Sequence, residues 1–233
     1  MTSLLYHILK TLFPKRCFGC DIIVKEDEDF LCSACFSKIR LHQTLFCPVC
    51  RARLAENKRI CHKNSGYFLG AAAQYEEGLV KKIIWRLKYE KKPAAAQPLG
   101  KILAIYLQSL KLTTKDYLII PVPLHPKKEH QRGFNQSLLI AKIISKNFNW
   151  ELSSDCLLKI ENTPPQMEIK DWEQRQENIA GSFTVAKPEL IAGKNILLID
   201  DVVTSGSTFN ESVKILKAAG ARKIIAVAVA KAR

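Results

Sequence analysis

Residues 196–208 read Ile196-Leu197-Leu198-Ile199-Asp200-Asp201-Val202-Val203-Thr204-Ser205-Gly206-Ser207-Thr208, and this stretch decides the fold. Four apolar residues in a row predict a strand buried on both faces. Two carboxylates stand at its C-terminal end, and a loop of Thr, Ser and Gly follows. A helix over 211–219, closed by Gly220, comes next, and residues 224–230 give a second buried strand. Strand, helix and strand in that order make a βαβ unit, so the sheet is parallel here. Ligands of open parallel sheets bind beyond the C-terminal ends of the strands. The loop offers hydroxyls and backbone N–H groups there, Gly206 admits close approach of the backbone, and the following helix adds its N-terminus. Together these make a cradle for a phosphate monoester.

Adjacent acids beside a phosphate cradle conflict electrostatically unless the ligand also carries hydroxyls. A ribose 5-phosphate resolves the conflict, because Asp200 and Asp201 can accept hydrogen bonds from vicinal hydroxyls while the loop holds the phosphate. Three other readings remain beside it. Leu-Leu-Ile-Asp-Asp resembles a Walker B strand, but no G-x-x-x-x-G-K-[ST] occurs in the chain. A response-regulator acidic pocket uses paired carboxylates but needs no Thr-Ser-Gly-Ser-Thr cradle. A purely structural origin is the third.

Outward from this unit, residues 117–122 predict another buried strand, running into Pro121-Val122-Pro123 and then the basic run His125, Lys127, Lys128, His130 and Arg132. Gly133-Phe134-Asn135-Gln136-Ser137 leads into a helix over 138–146. Residues 66–75 predict a strand, and residues 99–110 a helix. Over 77–92, Val80, Ile83, Ile84 and Leu87 recur at helical spacing. Lys81, Lys82, Arg86, Lys88, Lys91 and Lys92 crowd the remaining faces, with Trp85 and Tyr89 one turn apart among them. That helix suits a phosphate backbone and stacked bases; the alternative is a solvated face with half-buried aromatics. Residues 161–178 carry early prolines and many charges, and read as a long loop with a short helical turn, of the kind that serves as a lid, a binding loop or a disordered segment. Residues 182–185 predict a short strand.

Seven of the eight cysteines lie in the first 61 residues: Cys17-x-x-Cys20, Cys32-x-x-Cys35, Cys47-x-x-Cys50 and Cys61. Paired cysteines on tight turns at such distances have zinc-knuckle spacing, and two turns complete a tetrahedron. Cys17, Cys20, Cys32 and Cys35 form a full ligand set for a structural zinc. Cys47, Cys50 and Cys61 lack an obvious fourth ligand, since Asn64 stands three positions after Cys61. His62 substitutes for it, although neighbouring ligands are sterically awkward, and His42 is another candidate. The alternative is a second site decayed into a packed turn. Cys156 reads as a small buried hydrophobe. Residues 1–65 are thus expected to form a zinc-ribbon module with an N-terminal helix, and residues 66–233 an α/β domain.

The formal net charge of +14 favours polyanionic partners. Four zinc-bound thiolates subtract about two charges per site and leave the balance positive. No run of eighteen apolar residues predicts a membrane helix. Residues 1–13 are amphipathic but lack a basic n-region and cleavage site, so a packed helix is expected rather than a signal peptide.

The stretch ILLIDDVVTSGST resembles the signature of type I phosphoribosyltransferases. The N-terminal CxxC set, PVPLHPKKEHQRGFNQS, TPPQ, EQRQENIAGSF and ILLIDDVVTSGST together, in this order and over nearly the whole chain, resemble the ComF family. The resemblance implies an α/β, type I phosphoribosyltransferase-like parallel sheet flanked by helices, with a small N-terminal zinc ribbon. It implies phosphoribosyl pyrophosphate (PRPP) as ligand, bound with Mg²⁺ that bridges pyrophosphate and ribose oxygens. Asp200 and Asp201 would take the ribose hydroxyls, and Thr204, Ser205, Gly206, Ser207 and Thr208 the 5-phosphate. Arg132 would reach the pyrophosphate, and Arg175 would sit on a lid over 163–178. It further implies a role in natural transformation, with single-stranded DNA and DNA-uptake or helicase-type proteins as partners, in the cytoplasm or at the inner face of the membrane. The same pocket serves a phosphoribosyltransferase or a non-catalytic PRPP sensor. A nucleobase-salvage transferase is a third reading, and it needs a base pocket that the sequence does not display. Ser205 and Ser207 stand where such cradles often carry Thr and Ala, both small changes.

Overall fold

The computed structural model describes residues 14–25, 28–54, 61–62, 65–76, 78–112, 116–162 and 181–232. The expected N-terminal helix over 1–13 and the expected lid over 163–178, with Arg175, lie outside them. The elements are α1 (Ser33–Phe36), β1 (Phe68–Gln74), α2 (Gly78–Lys88), α3 (Ala96–Ser109), β2 (Leu118–Pro121), α4 (Pro126–Arg132) and α5 (Gln136–Phe148). They continue with β3 (Leu157–Lys159), β4 (Phe183–Val185), β5 (Asn195–Val203), α6 (Ser207–Ala218) and β6 (Lys223–Lys231).

β1, β6, β5 and β2 lie side by side in that order, and every neighbouring pair is parallel. The expected parallel, helix-flanked sheet is therefore present. Ile196, Leu197, Leu198, Ile199 and the whole of 224–230 are buried, as the unbroken apolar runs require. Each fully buried aliphatic side chain contributes about 2 kcal/mol. α2, α3 and α5 cover one face, where Val80, Ile83, Ile84 and Leu87 meet Leu99, Ile102 and Leu103 in one cluster. α6 and the antiparallel pair β3–β4 cover the other, with Phe209, Leu216, Leu157 and Phe183 packed on Leu198 and Ala226.

Several boundaries differ from the sequence expectation, the start of α6 at Ser207 rather than 211 among them, and three have a clear local reason. β5 does not stop at the acids, because β6 continues beside it: Asp200 faces Ala228, and Val203 faces Lys231. The ladder overrides the poor strand propensity of Asp. α2 ends at Lys88 rather than near Lys92; Lys91 is left-handed at φ 51 and Pro93 restricts the residue before it. The basic run 126–132 is helical, with Pro126 in its first turn, His125 capping it by accepting from the Lys127 N–H, and Gly133 closing it at φ 88.

The ribbon is tied to the rest of the chain. Phe46 and Leu69 exchange both backbone hydrogen bonds (2.7 and 3.1 Å), and the His42 N–H donates to the Ala72 carbonyl at 2.8 Å. This lays residues 42–46 along β1, an edge strand of the sheet. Tyr106 of α3, fully buried, passes Gly70 of β1, where a Cβ would lie 3.3 Å from its ring, and donates to the Thr44 carbonyl at 2.8 Å. At the first knuckle, Arg86 of α2 meets Asp21 at 3.2 Å, and Lys82 donates to the Gly19 carbonyl at 2.6 Å.

Candidate functional site

At the C-terminal end of the sheet a cleft of about 670 Å³ opens, within the usual range for small ligands. β5 supplies Asp200, Asp201 and Val202 to it, the following loop supplies Thr204, and the first turn of α6 supplies Thr208. Pro123 and Val122 form its wall after β2. Its basic side chains are Lys88, Lys91, Lys128, Arg132 and Lys159. Five cations face two acids there, so the opening favours an anionic ligand.

The two acids are held differently. Asp201 is 4% exposed, and Lys88 from the end of α2 sits 2.7 Å from its Oδ1. Burial opposes the charge on Lys88, but Asp201 and then Asp200 outweigh it and raise its pKa. Asp200 accepts from the Ser137 hydroxyl at 2.8 Å and from the Asp201 N–H at 2.8 Å. Burial, and next the neighbouring Asp201 charge, push Asp200 up to about 7, against the pull of Lys88 and these hydrogen bonds. Lys159 moves the other way: burial and then the Lys128 charge lower it to about 8.

The Gly133–Ser137 stretch explains how Ser137 arrives. Asn135 caps α5 by accepting from the Ser137 and Leu138 N–H groups at 2.9 and 3.4 Å. Its amide also donates to the Val122 carbonyl at 3.1 Å, pinning the start of α5 to the end of β2. The first turn of α5 is thereby set against Asp200.

The loop after β5 turns at Gly206, whose φ is 84 and which precedes α6. The Ser205 and Ser207 hydroxyls are 2.9 Å apart. Thr204 and Thr208 face the cleft, whereas Ser205 lines a separate hollow with Pro48, Val49 and Arg51 of the ribbon. Arg51 Nη2 donates to the Ser205 carbonyl at 2.6 Å and to the Thr204 carbonyl at 3.3 Å.

The ribbon gathers two clusters. The ligand atoms of Cys17, Cys20, Cys32 and Cys35 lie within 4.8 Å of one another, as do those of Cys47, Cys50, Cys61 and His62. The Cys20–Cys32 sulfur separation of 3.7 Å matches the edge, about 3.8 Å, of a tetrahedron with Zn–S bonds of about 2.3 Å. Burial works against the Cys17 thiolate, but N–H donors from Cys32, Cys20 and Gly19 outweigh it and hold the thiol down at about 6. His62 Nδ1 is 3.3 Å from Cys61 Sγ and 3.5 Å from Cys47 Sγ, so adjacency in sequence does not prevent convergence. His42 is elsewhere: its ring meets Phe46 edge-on at 5.1 Å, and its Nε2 is buried with no hydrogen-bond partner among the described residues.

Of the residues expected from the sequence, Asp200, Asp201, Thr204, Thr208 and Arg132 share the cleft; Ser205 backs onto it, and Gly206 and Ser207 form its turn. Lys88, Ser137, Lys159 and Arg51 were missed. For Lys88 a signal existed, since it continues the row Val80–Ile84 at i+4 and so lies on the inward face of α2. Trp85 and Tyr89 are 49% and 55% exposed with ring centroids 5.8 Å apart, so each ring keeps about half of its surface open.

Two family models match the chain, one for the double zinc ribbon domain over residues 8–64 and one for the phosphoribosyl transferase domain over residues 135–233. Relatives match over nearly the whole length. The DNA utilization protein YhgH of Shigella flexneri is 27% identical over 91% of this chain and 94% of that protein. Competence protein F of Haemophilus influenzae is 28% identical over 93% and 96%. Competence protein ComFC of Streptococcus pneumoniae is 26% identical over 89% and 90%. Among solved structures, a glutamine phosphoribosylpyrophosphate amidotransferase from B. subtilis aligns with a TM-score of 0.38 at 17% identity. It covers 57% of this chain and 25% of that one, a likeness too low to support any inference.

Proposed function

We propose that the chain is a ComF-family protein, in which a double zinc ribbon is joined to a phosphoribosyl transferase domain, and that it binds PRPP with Mg²⁺ at the end of β5 and serves the handling of imported DNA. The observation that carries the reading is the shared cleft, where paired acids, a phosphate-type loop and five cations meet. Asp200 and Asp201 accept the ribose hydroxyls. The loop 204–208 takes the 5-phosphate, with Thr204 and Thr208 nearest the opening. Arg132, with Lys128 and Lys159, neutralises the pyrophosphate. Mg²⁺ prefers oxygen donors and keeps several waters; the buried carboxylate oxygens of Asp200 and Asp201 fit it, alongside those of the ligand. The metal would draw electron density from a departing pyrophosphate.

Calorimetry with PRPP and Mg²⁺ tests this. Micromolar or tighter binding by the parent chain is expected, with loss of binding in Asp200→Asn/Asp201→Asn. If that double variant bound as tightly as the parent, the assignment of the acids would be wrong. Pyrophosphate release against candidate acceptors reads turnover directly.

For DNA, the supporting observation is the outer face of α2 and the residue after it, where exposed Trp85 and Tyr89 stand beside the exposed Lys81. Such a face stacks bases while its cations follow the phosphates. A single-stranded oligonucleotide should bind with a log–log salt slope of about −0.7 per phosphate contacted. Affinity indifferent to salt would sink this part. The two ribbon clusters are read as one zinc each, so metal analysis should return two zinc per chain. The chain's place of action is the cytoplasm, in keeping with reduced thiolates as metal ligands. Among the described residues no helix is long and apolar enough to cross a membrane.

A further inference from the structure

The two knuckles of the ribbon repeat one backbone device. After the second cysteine of each pair comes a left-handed residue, Asp21 or Arg51, each with φ 62. Each donates its N–H to the carbonyl of the first cysteine at 2.9 Å. Non-glycine residues adopt this conformation uncommonly. In both knuckles the side chain it carries reaches beyond the ribbon. Asp21 meets Arg86 of α2. Arg51 meets the turn of the phosphate loop, at a sequence separation of more than 150 residues.

The Arg51 contact has a directional consequence. Its guanidinium holds two successive carbonyls, those of Thr204 and Ser205, and no cis peptide bond occurs among the described residues. A trans peptide sends its C=O and its N–H to opposite sides. With both carbonyls turned to Arg51, the N–H groups of Ser205 and Gly206 point away from the ribbon. Successive N–H groups turned one way form an anion-binding concavity. Gly206 has space only for hydrogen here, since a Cβ would lie 2.7 Å from Arg51 Nη2. Arg51 Nη1 is buried and makes no hydrogen bond among the described residues, so the guanidinium adds unspent positive potential behind the loop.

We infer that Arg51 is a positioning residue for the phosphate loop, and that metal binding at the Cys47, Cys50, Cys61 and His62 cluster is coupled through it to ligand binding in the cleft. The inference rests on the reading of the cleft as a PRPP site. Metal closes the knuckle, the knuckle fixes the left-handed Arg51 beside Cys50, and Arg51 fixes the orientation of the loop. Coupling is reciprocal, so PRPP must tighten the second zinc by the factor by which that zinc tightens PRPP.

The experiment uses the full-length, zinc-loaded chain and calorimetry with three probes: PRPP with Mg²⁺, ribose 5-phosphate, and pyrophosphate. Arg51→Met should weaken PRPP and ribose 5-phosphate about tenfold, leave pyrophosphate unchanged, and retain two zinc per chain. Arg51→Lys should recover part of the loss, because a cation returns without the fork that spans two carbonyls. Cys61→Ser should reproduce the Arg51→Met loss, and the double variant should be no weaker than either single one. Parent-like affinity for ribose 5-phosphate in Arg51→Met, or an equal loss for pyrophosphate, overturns the positioning role. If Cys61→Ser does not fold, zinc release from the parent to a chromogenic chelator decides instead. PRPP should slow release from one of the two sites about tenfold, and unchanged release overturns the coupling. A parent chain that binds no PRPP at all would overturn the cleft reading, and this inference with it; the other outcomes strike the inference alone.

Discussion

Replacing Lys88 with Met keeps the length of the side chain and removes its charge from the side of Asp201. The lost contact is 2.7 Å long, with side chains 22% and 6% exposed. Removing one member of a buried pair costs about 3–5 kcal/mol, and the residual exposure of Lys88 places the cost near the lower end, about 3 kcal/mol. The loss has a pH signature whose sign is fixed by the geometry. In the parent chain burial and the Asp201 charge already hold Asp200 at about 7, above the ordinary carboxylate value. Without the Lys88 charge the acid pair holds its shared proton more tightly still. An acid whose folded pKa is raised makes the folded state bind more protons than the unfolded chain. Its contribution to stability is fully present below the unfolded chain's ordinary carboxylate pKa and is lost as pH rises from there through the folded pKa. The deficit of Lys88→Met against the parent should therefore be full at roughly pH 8.5 and clearly smaller at roughly pH 6. Urea unfolding followed by circular dichroism, with zinc saturating, measures both. The double variant Lys88→Met/Asp201→Asn should regain most of the loss, because the uncompensated charge is gone. A deficit identical at the two pH values, or a double variant no more stable than Lys88→Met, would refute the electrostatic reasoning.

Ser137→Ala removes the 2.8 Å hydrogen bond to Asp200 and should cost about 1.5 kcal/mol at alkaline pH, where the acceptor is ionised; denaturation at pH 8.5 against pH 6 checks it. Gly206→Ala meets both a φ of 84 and Arg51 Nη2 at 2.7 Å. It should lose at least about 1 kcal/mol of stability, visible as a lower unfolding midpoint, and weaken PRPP. Lys159, held down to about 8 by burial and Lys128, should regain its full charge beside an anionic ligand, because a nearby anion favours the charged form. PRPP binding near pH 8 should then take up protons, so that calorimetric heats vary with the ionisation enthalpy of the buffer; buffer-independent heats would contradict this.

The parts of the fold that were legible in the sequence are those whose signal is local. Ile196–Ile199 and Ile224–Ala230 are continuous apolar runs, and the βαβ order makes their sheet parallel; both strands are buried side by side. Asp200 and Asp201 were legible because acids following such a run mark a strand end at a ligand edge. The parts that escaped are those set by distant chain. Nothing near Asp200 announces that β6 extends to Lys231 and carries β5 through the acids. Ser137 reaches Asp200 only because Asn135 ties α5 to β2, across a separation of 63 residues. Arg51 looks like any residue after a CxxC until the loop at 204–205 is seen against it. His62 was legible as the substitute fourth ligand despite its awkward place beside Cys61, and its ring nitrogen lies with the cluster.

The strand-like pairing of residues 42–46 with β1 also bears on how the chain can be divided. The far edge of the sheet, β2, is shielded by residues 151–153, through the Ile119 N–H to the Glu151 carbonyl at 2.8 Å and the Ser153 N–H to the Ile119 carbonyl at 3.0 Å. The near edge, β1, has its shield in the ribbon. A fragment beginning at residue 66 would keep the first shield and lose the second, baring a row of backbone donors and acceptors flanked by Phe68, Leu69 and Ala71–Ala73 and leaving the Tyr106 hydroxyl without Thr44. Such an edge is a template for strands from other copies. The zinc-binding segment thus acts as a guard against self-association for the domain that follows it, and stripping its metal should be followed by precipitation of the intact protein before any loss of helix content.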